Sequence, residues 1–169
     1  LLAKVIIDCT GDGDVAFRAG VPCEKGDEHG GMQPPTLMFC LAGVDTEKLR
    51  QSLSHDPKAY RADFIPAQYF GQNHQFIVVG LRQLIQEAQK AGLSIPTERT
   101  ILITGLRAGE VWVNMTRVQG VDGTDPRSLS AGEVEARRQI TDIHRYLVEY
   151  VPGFEKALLA KVAPFLGIR

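Results

Sequence analysis

The chain has 169 residues, of which 44% are hydrophobic, and 19 lysines and arginines against 20 aspartates and glutamates give a formal net charge of −1. Such a chain can bury a hydrophobic core, while the absence of a basic excess argues against a nucleic-acid partner. The longest apolar runs, such as residues 101–103, are far shorter than the roughly 20 residues of a membrane-spanning helix, so we expect no membrane partner either.

The first 35 residues predict a strand, a turn and a short helix, followed by a loop. Residues 5–7 are an apolar run typical of a fully buried strand, residues 10–14 contain a glycine-rich turn, and residues 15–19 can form a helix. Residues 20–35 are rich in glycine, proline and charge, which indicates a long loop. The first residues resemble the interior of a domain, so we expect a piece of a longer protein.

The middle of the chain, residues 36–128, predicts most of a sheet. The expected strands are residues 36–41, 74–79, 100–104 and 111–118, and a turn at 105–110 joins the last two in a hairpin. Helices are expected over residues 46–53, after an Asp45 cap, and over residues 81–91, ending at Gly92. Residues 55–73 contain several breakers and are predicted to be irregular.

The last segment, residues 129–169, is predicted to be helical. Ser130 and Glu133 form a capping-box pattern for a long helix that reaches Tyr150, and a second short helix is expected over residues 154–163. The apolar face of the long helix is predicted to consist of Val134, Ile140, Ile143, Leu147 and Val151. The expected fold is α+β, a mainly antiparallel sheet with helices on one side, preceded by a strand-turn-helix unit that packs apart from the sheet or at its edge.

The strongest local signal for function is the turn formed by Thr10, Gly11, Asp12 and Gly13. A strand that turns into a helix through glycine exposes backbone amides and lets the backbone approach a phosphate or a flat ring closely. A nucleotide-type ligand would suit this turn. The same pattern also occurs wherever a strand simply meets a helix, so the turn alone leaves both interpretations open.

Several ordered blocks of the sequence closely resemble bacterial FAD-dependent oxidoreductases that are distantly related to fumarate reductases. These blocks cover nearly the whole chain: residues 8–16, 18–22, 32–39, 111–118, 135–139, 151–155 and 166–169. The resemblance implies an FAD-binding segment at 1–35, a substrate or cap domain at 36–128, and a segment at 129–169 that returns toward the FAD domain. It also implies hydride transfer between FAD and a small organic substrate.

The resemblance places Thr10, Gly11, Asp12 and Gly13 next to FAD and brings Gln33 to the cofactor and Thr36 to the substrate. The chain departs from the family in two respects. It lacks the GxGxxG segment that holds the FAD pyrophosphate, so we expect the isolated chain to be inactive and free of FAD. It also has Pro35 where relatives often carry a histidine that touches an anionic substrate; His29 could substitute for it or simply be solvated.

Arg117 is the second candidate for substrate binding. Its guanidinium could hold a substrate carboxylate through two parallel hydrogen bonds, or it could form a structural salt bridge. Strand alternation places Asn114 and Thr116 on one face and Met115 with Arg117 on the other. Trp112 is expected to be a packing residue.

Two other functions compete for the opening motif. Asp8 could be the nucleophile of a haloacid-dehalogenase-like phosphatase, although the paired acidic magnesium site of that class is not evident downstream. Alternatively, the chain could be a non-catalytic cap or interaction module. The spacing of His55, His74 and His144 predicts no metal site, and three widely spaced cysteines indicate reduced thiols in a cytoplasmic protein. An unpaired apolar edge at residues 5–8 would favour self-association into a homo-oligomer.

Overall fold

The computed structural model describes residues 3–168, which form five helices and five strands. The helices are α1 (Asp14–Arg18), α2 (Thr46–His55), α3 (Ala67–Gln72), α4 (Arg82–Lys90) and α5 (Pro126–Tyr150). The strands are β1 (Phe39–Ala42), β2 (Ile77–Gly80), β3 (Thr100–Thr104), β4 (Val111–Val113) and β5 (Leu158–Val162). The strands make one sheet in the order β2-β3-β4-β1-β5, and every pairing is antiparallel. The predicted α+β class is confirmed.

One face of the sheet carries the hydrophobic core. Val78, Leu102, Val113 and Phe39 lie opposite one another across four strands, and each is essentially inaccessible to solvent. The buried residues of α2, α4 and α5 belong to the same core, as expected when helices cover one side of an antiparallel sheet.

The opposite face of the sheet is more open. Its central row runs Ile77, Ile103, Trp112, Cys40 and Lys161. Ile77 is 45% exposed, Ile103 and Trp112 are half-buried, and Cys40 is buried between its strand neighbours. Trp112 is therefore a partly covered sheet residue, in keeping with the packing role expected for it.

Local sequence explains the helix starts and the hairpin. The Asp45 side chain caps α2 by accepting the Lys48 amide at 2.9 Å, as predicted. The hairpin of β3 and β4 is also confirmed, and its turn is closed by the Gly105 amide donating to the Glu110 carbonyl at 2.7 Å. Helix α5 starts earlier than predicted because Asp125 caps it and proline follows at the first helical position.

That earlier start makes the predicted capping box wrong, since Ser130 and Glu133 both lie inside α5. The predicted apolar face is correct at Ile140, Ile143 and Leu147, which are buried, but wrong at Val134, which is 72% exposed. Val134 shows that one apolar residue on a long amphipathic helix can lie beyond the part of the face that the core covers.

Two further predictions are corrected. Residues 154–163, predicted as a helix, contain strand β5, which pairs with β1. The chain leaves α5, turns at Gly153, which has φ +92°, and runs along β1, whose edge amides and carbonyls gain hydrogen-bond partners. Residues 55–73, predicted as irregular, include α3, whose Phe70 is buried in the core.

The opening segment also differs from its prediction. Residues 5–7 form no strand, and Val5, Ile6 and Ile7 are 77%, 61% and 82% exposed. Burial of such a run requires strands beside it, and the sheet of the described residues includes no part of residues 5–7. The predicted helix does form, as α1.

None of the helices within residues 3–168 combines the length and the apolar character that a membrane crossing would require.

Candidate functional site

The glycine turn is held together by the carboxylate of Asp8. One oxygen accepts the Thr10 amide at 2.9 Å and the Thr10 hydroxyl at 2.7 Å, and the other accepts the Ala16 amide at 2.8 Å. The Thr10 hydroxyl in turn accepts the Asp14 amide at 2.8 Å. These donors, the Thr10 hydroxyl first among them, hold the pKa of the Asp8 carboxyl below its ordinary value. The Asp8 carboxylate therefore caps α1 from within the chain.

This arrangement uses the hydrogen-bond donors that a bound phosphate would need. The amides of Asp14 and Ala16 already have acceptors, and Asp8, Asp12 and Asp14 surround the turn with negative charge. The same contacts give Asp8 a structural role in the turn.

Gly11 and Gly13 give the turn its shape. Both adopt left-handed backbone angles, with φ of +86° and +73°, which glycine reaches without a steric penalty. A Cβ atom added to either residue would meet no heavy atom within 4 Å. The exposed side of the turn is therefore bare backbone with open space beside it. A planar group can approach that surface more closely than it could approach any residue with a side chain.

The other two residues assigned to the flavin side lie at the start of the sheet. Gln33 is exposed, whereas the hydroxyl of Thr36 is engaged inside the protein. It donates to the Asn114 Oδ1 atom at 2.9 Å and lies 3.1 Å from the Thr116 Oγ1 atom. The Thr36 backbone also bridges Gly167, with hydrogen bonds of 3.1 and 2.8 Å. Within the described residues, no hydrogen bond joins this group to the glycine turn.

The strand predicted over residues 111–118 ends at Val113, so residues 114–117 lie beyond β4, but the predicted shared side of Asn114 and Thr116 is confirmed. Asn114 and Thr116 both reach Thr36, while Met115 on the other side is buried in the core. Thr116 also fixes the neighbouring chain, because its hydroxyl accepts the Leu37 amide at 2.6 Å and donates to the Leu37 carbonyl at 3.0 Å.

Arg117 is exposed and lies beside the segment that enters β3. It lines a recess with Arg99, and within residues 3–168 its guanidinium makes no ion pair within 4 Å. The structural salt bridge considered from the sequence therefore does not form among the described residues. The Arg117 backbone is held by Gln139 of α5, whose side-chain oxygen accepts the Arg117 amide at 2.8 Å and whose side-chain nitrogen donates to the Arg117 carbonyl at 3.1 Å.

Sequence reasoning missed the roles of Asp8, Gln139 and Arg99. Asp8 could have been found, because an aspartate two residues before a threonine often accepts that residue's amide in a turn. Gln139 gave no usable signal, since a glutamine in a helix is ordinarily solvated. Arg99 gave none either, because its proximity to Arg117 depends on the tertiary structure.

The histidines serve local roles. His144 of α5 has its Nε2 atom 2.9 Å from the Ala157 carbonyl, His55 has its Nδ1 atom 2.9 Å from the Gln51 carbonyl, and His29 is exposed beside Glu28. Among residues 3–168, no three His, Cys, Asp or Glu side chains gather in a way that could hold a metal ion.

Comparison with known proteins gives the class of the chain. The family model described as FAD dependent oxidoreductase matches residues 1–169, which is the whole sequence. The chain belongs to the FAD dependent oxidoreductase family. A search of curated proteins and a search of solved structures gave no match.

Proposed function

We propose that the chain forms part of an FAD-dependent oxidoreductase that transfers a hydride between the flavin and a small organic substrate in the cytoplasm. The observation that carries this proposal is the bare glycine surface at residues 11–13, within a chain that matches the family over its whole length. When bound, FAD supplies the electron chemistry, and the residues of this chain bind and orient.

The turn fits an uncharged part of the cofactor better than its pyrophosphate. Helix-end amides that would bind a phosphate are used by the chain itself, and three aspartates lie nearby. Gly11 and Gly13 present backbone without side chains, which suits the isoalloxazine ring or the ribityl chain. In this proposal Thr10 and Asp12 keep the turn in shape and Gln33 contributes a side-chain amide from the loop.

The turn by itself offers too few contacts to hold a dinucleotide. The turn contributes a single exposed surface. Binding a ligand as large as FAD requires many contacts to offset the entropy that the ligand loses. We therefore propose that the 169 residues alone bind FAD weakly or not at all. We also propose that the chain self-associates through the exposed apolar side chains of residues 5–7, because exposed apolar patches favour association.

On the substrate side, Arg117 is the proposed contact for the substrate. Arg117 is exposed and its backbone is held by Gln139. Binding of an anion would therefore cost little backbone conformational entropy. The proposed role of Thr36 is indirect in this structure, because its hydroxyl already contacts Asn114.

The test measures FAD affinity, by flavin fluorescence and visible absorbance, for this chain and for a longer chain that adds a GxGxxG dinucleotide-binding segment. We expect flavin binding in the longer chain only. There, Gly13→Ala should weaken FAD affinity about tenfold or more, since a methyl group enters the space assigned to the cofactor. The matched control is Gly30→Ala, which has a similar φ of +76° against +73° and equally open surroundings.

Both alanines impose the same left-handed strain, so the difference between the variants reports contact with the ligand. Equal FAD affinity in the Gly13→Ala and Gly30→Ala variants would refute the assignment of the turn. Tight FAD binding by the 169 residues alone would show that the cofactor site lies elsewhere in the chain.

A further inference from the structure

A recess of about 420 Å³ is formed by residues 96–99, which precede β3, and by Arg117, which follows β4 in the chain. It is lined by Pro96, Thr97, Glu98, Arg99 and Arg117. Two of these five residues are arginines and one is a glutamate, so the recess is positive on a chain whose formal net charge is −1. Such a local excess of positive charge attracts anions.

Both arginines have donors available for a ligand. Arg99 contacts Asp63 through its Nε atom, at 3.2 Å, which leaves its two terminal nitrogens for another acceptor. Arg117 has no ion pair within residues 3–168. A planar guanidinium presents paired N–H groups in the geometry of a carboxylate, and two arginines that line one recess are suited to hold a single anion.

Both arginines are held in place, Arg117 at its backbone and Arg99 at its guanidinium. The buried side chain of Gln139, 7% exposed, bonds both the amide and the carbonyl of Arg117. The Arg99 guanidinium lies 5.9 Å from the centre of the Phe64 ring, in addition to its contact with Asp63. Groups that are already held in place lose less freedom when a ligand binds, which raises affinity.

Glu98 offsets part of the positive charge of the recess. Its carboxylate is 90% exposed in the wall of the recess and contacts the Arg82 guanidinium at 3.2 Å. Its repulsion grows with the charge of the ligand, but the attraction of the two arginines grows as well, so charge alone does not favour a carboxylate over a phosphate. The Thr97 hydroxyl, held only by contacts of 3.3 Å, can donate to either.

We propose that this recess binds a small carboxylate between Arg99 and Arg117. The identification of that carboxylate as the enzyme's substrate rests on the function proposed above, whereas the binding itself does not. Arg99 is thereby assigned as the second arginine that binds the carboxylate.

The test titrates this chain with propionate, at constant ionic strength set with chloride, and follows the backbone amides and arginine Nε groups by NMR. We expect a dissociation constant in the millimolar range and shifts confined to residues 96–99 and 117. Arg99→Gln and Arg117→Gln should each weaken binding about tenfold or more, since each removes a charge-assisted hydrogen bond.

The control variant is Arg107→Gln, which removes a 79% exposed arginine from the β3–β4 turn, outside the recess. An equal loss of propionate binding in that variant would overturn the proposal, because it would show attraction by overall charge. The absence of shifts at residues 96–99 and 117 would overturn it as well. Since the titration contains no FAD, its failure is distinct from a failure of the glycine-turn assignment, and either can occur without the other.

Discussion

Gly153 follows α5 in the chain and contacts the start of α2 through a backbone hydrogen bond. Its replacement by alanine should strongly destabilise the protein. Its carbonyl accepts the Asp45 amide at 2.8 Å, and Asp45 is the residue that caps α2. A Cβ atom at position 153 would overlap the Asp45 carbonyl oxygen and lie 3.2 Å from the Leu49 amide nitrogen. The backbone of the α2 cap must therefore move to admit the methyl group.

The magnitude follows from three contributions. Left-handed φ costs a non-glycine residue about 1 to 2 kcal/mol, of which up to about 1 kcal/mol is regained through the less flexible unfolded chain. Displacing the cap adds about 0.5 to 1.5 kcal/mol for the hydrogen bond to Asp45 and a similar amount for weakened capping of α2. The Gly153→Ala variant should thus lose about 3 kcal/mol of unfolding free energy, which lowers the melting temperature of a chain of this length by about 6 to 12 °C.

Gly92→Ala is the matched control, because Gly92 has nearly the same backbone angle, φ +96° against +92°, with no heavy atom within 4 Å of the added Cβ. It should lose about 1 kcal/mol or less, since only the backbone strain remains. Urea denaturation of both variants, followed by circular dichroism, measures the difference. Equal destabilisation would refute the contribution assigned to the overlap with Asp45.

Two further changes test buried and capping hydroxyls. Tyr146→Phe should lose about 1 to 3 kcal/mol of unfolding free energy, because it leaves the buried Thr100 hydroxyl without its 2.6 Å partner, and urea denaturation measures the loss. Thr10→Val should raise the pKa of the Asp8 carboxyl toward its ordinary value of 3.8, whereas Thr10→Ser, which keeps the hydroxyl, should not; carboxyl NMR titration distinguishes them. Because the pKa of Asp8 is lowered in the folded chain, its contribution to stability is present above the unfolded pKa and is lost as the pH falls through the folded value.

Those parts of the fold that depend on local signals were predictable. The β3–β4 hairpin needs only two apolar runs and a glycine turn, and α2 needs only its Asp45 cap, so both followed from the sequence. Strand β5 did not, because its residues, Leu158–Val162, have no strong strand preference and become a strand only through pairing with β1.

The residues of the candidate site also differ in whether local sequence predicts them. The glycine turn was visible because Gly11 and Gly13 are two positions apart in sequence and both are needed for its shape. Arg117 was visible only through its residue type and its place on the last predicted strand. Its partner Arg99 lies 18 positions earlier and reaches the recess through the antiparallel packing of the sheet, which no local pattern encodes.

The salt dependence of ligand affinity should distinguish the two proposed sites, because binding at the glycine turn depends on shape and binding at the arginine recess depends on charge. The effect of Gly13→Ala on FAD affinity is steric, so the ratio of variant to parent affinity should stay constant as ionic strength rises. The effect of Arg117→Gln on propionate affinity is electrostatic at an exposed group, so its ratio should shrink when the Debye length falls from about 10 Å at 0.1 M to about 3 Å at 1 M. Affinities measured at both salt concentrations supply the four ratios. A salt-independent ratio for Arg117→Gln would mean that the residue acts by shaping the recess, and the two-arginine carboxylate site would then be wrong.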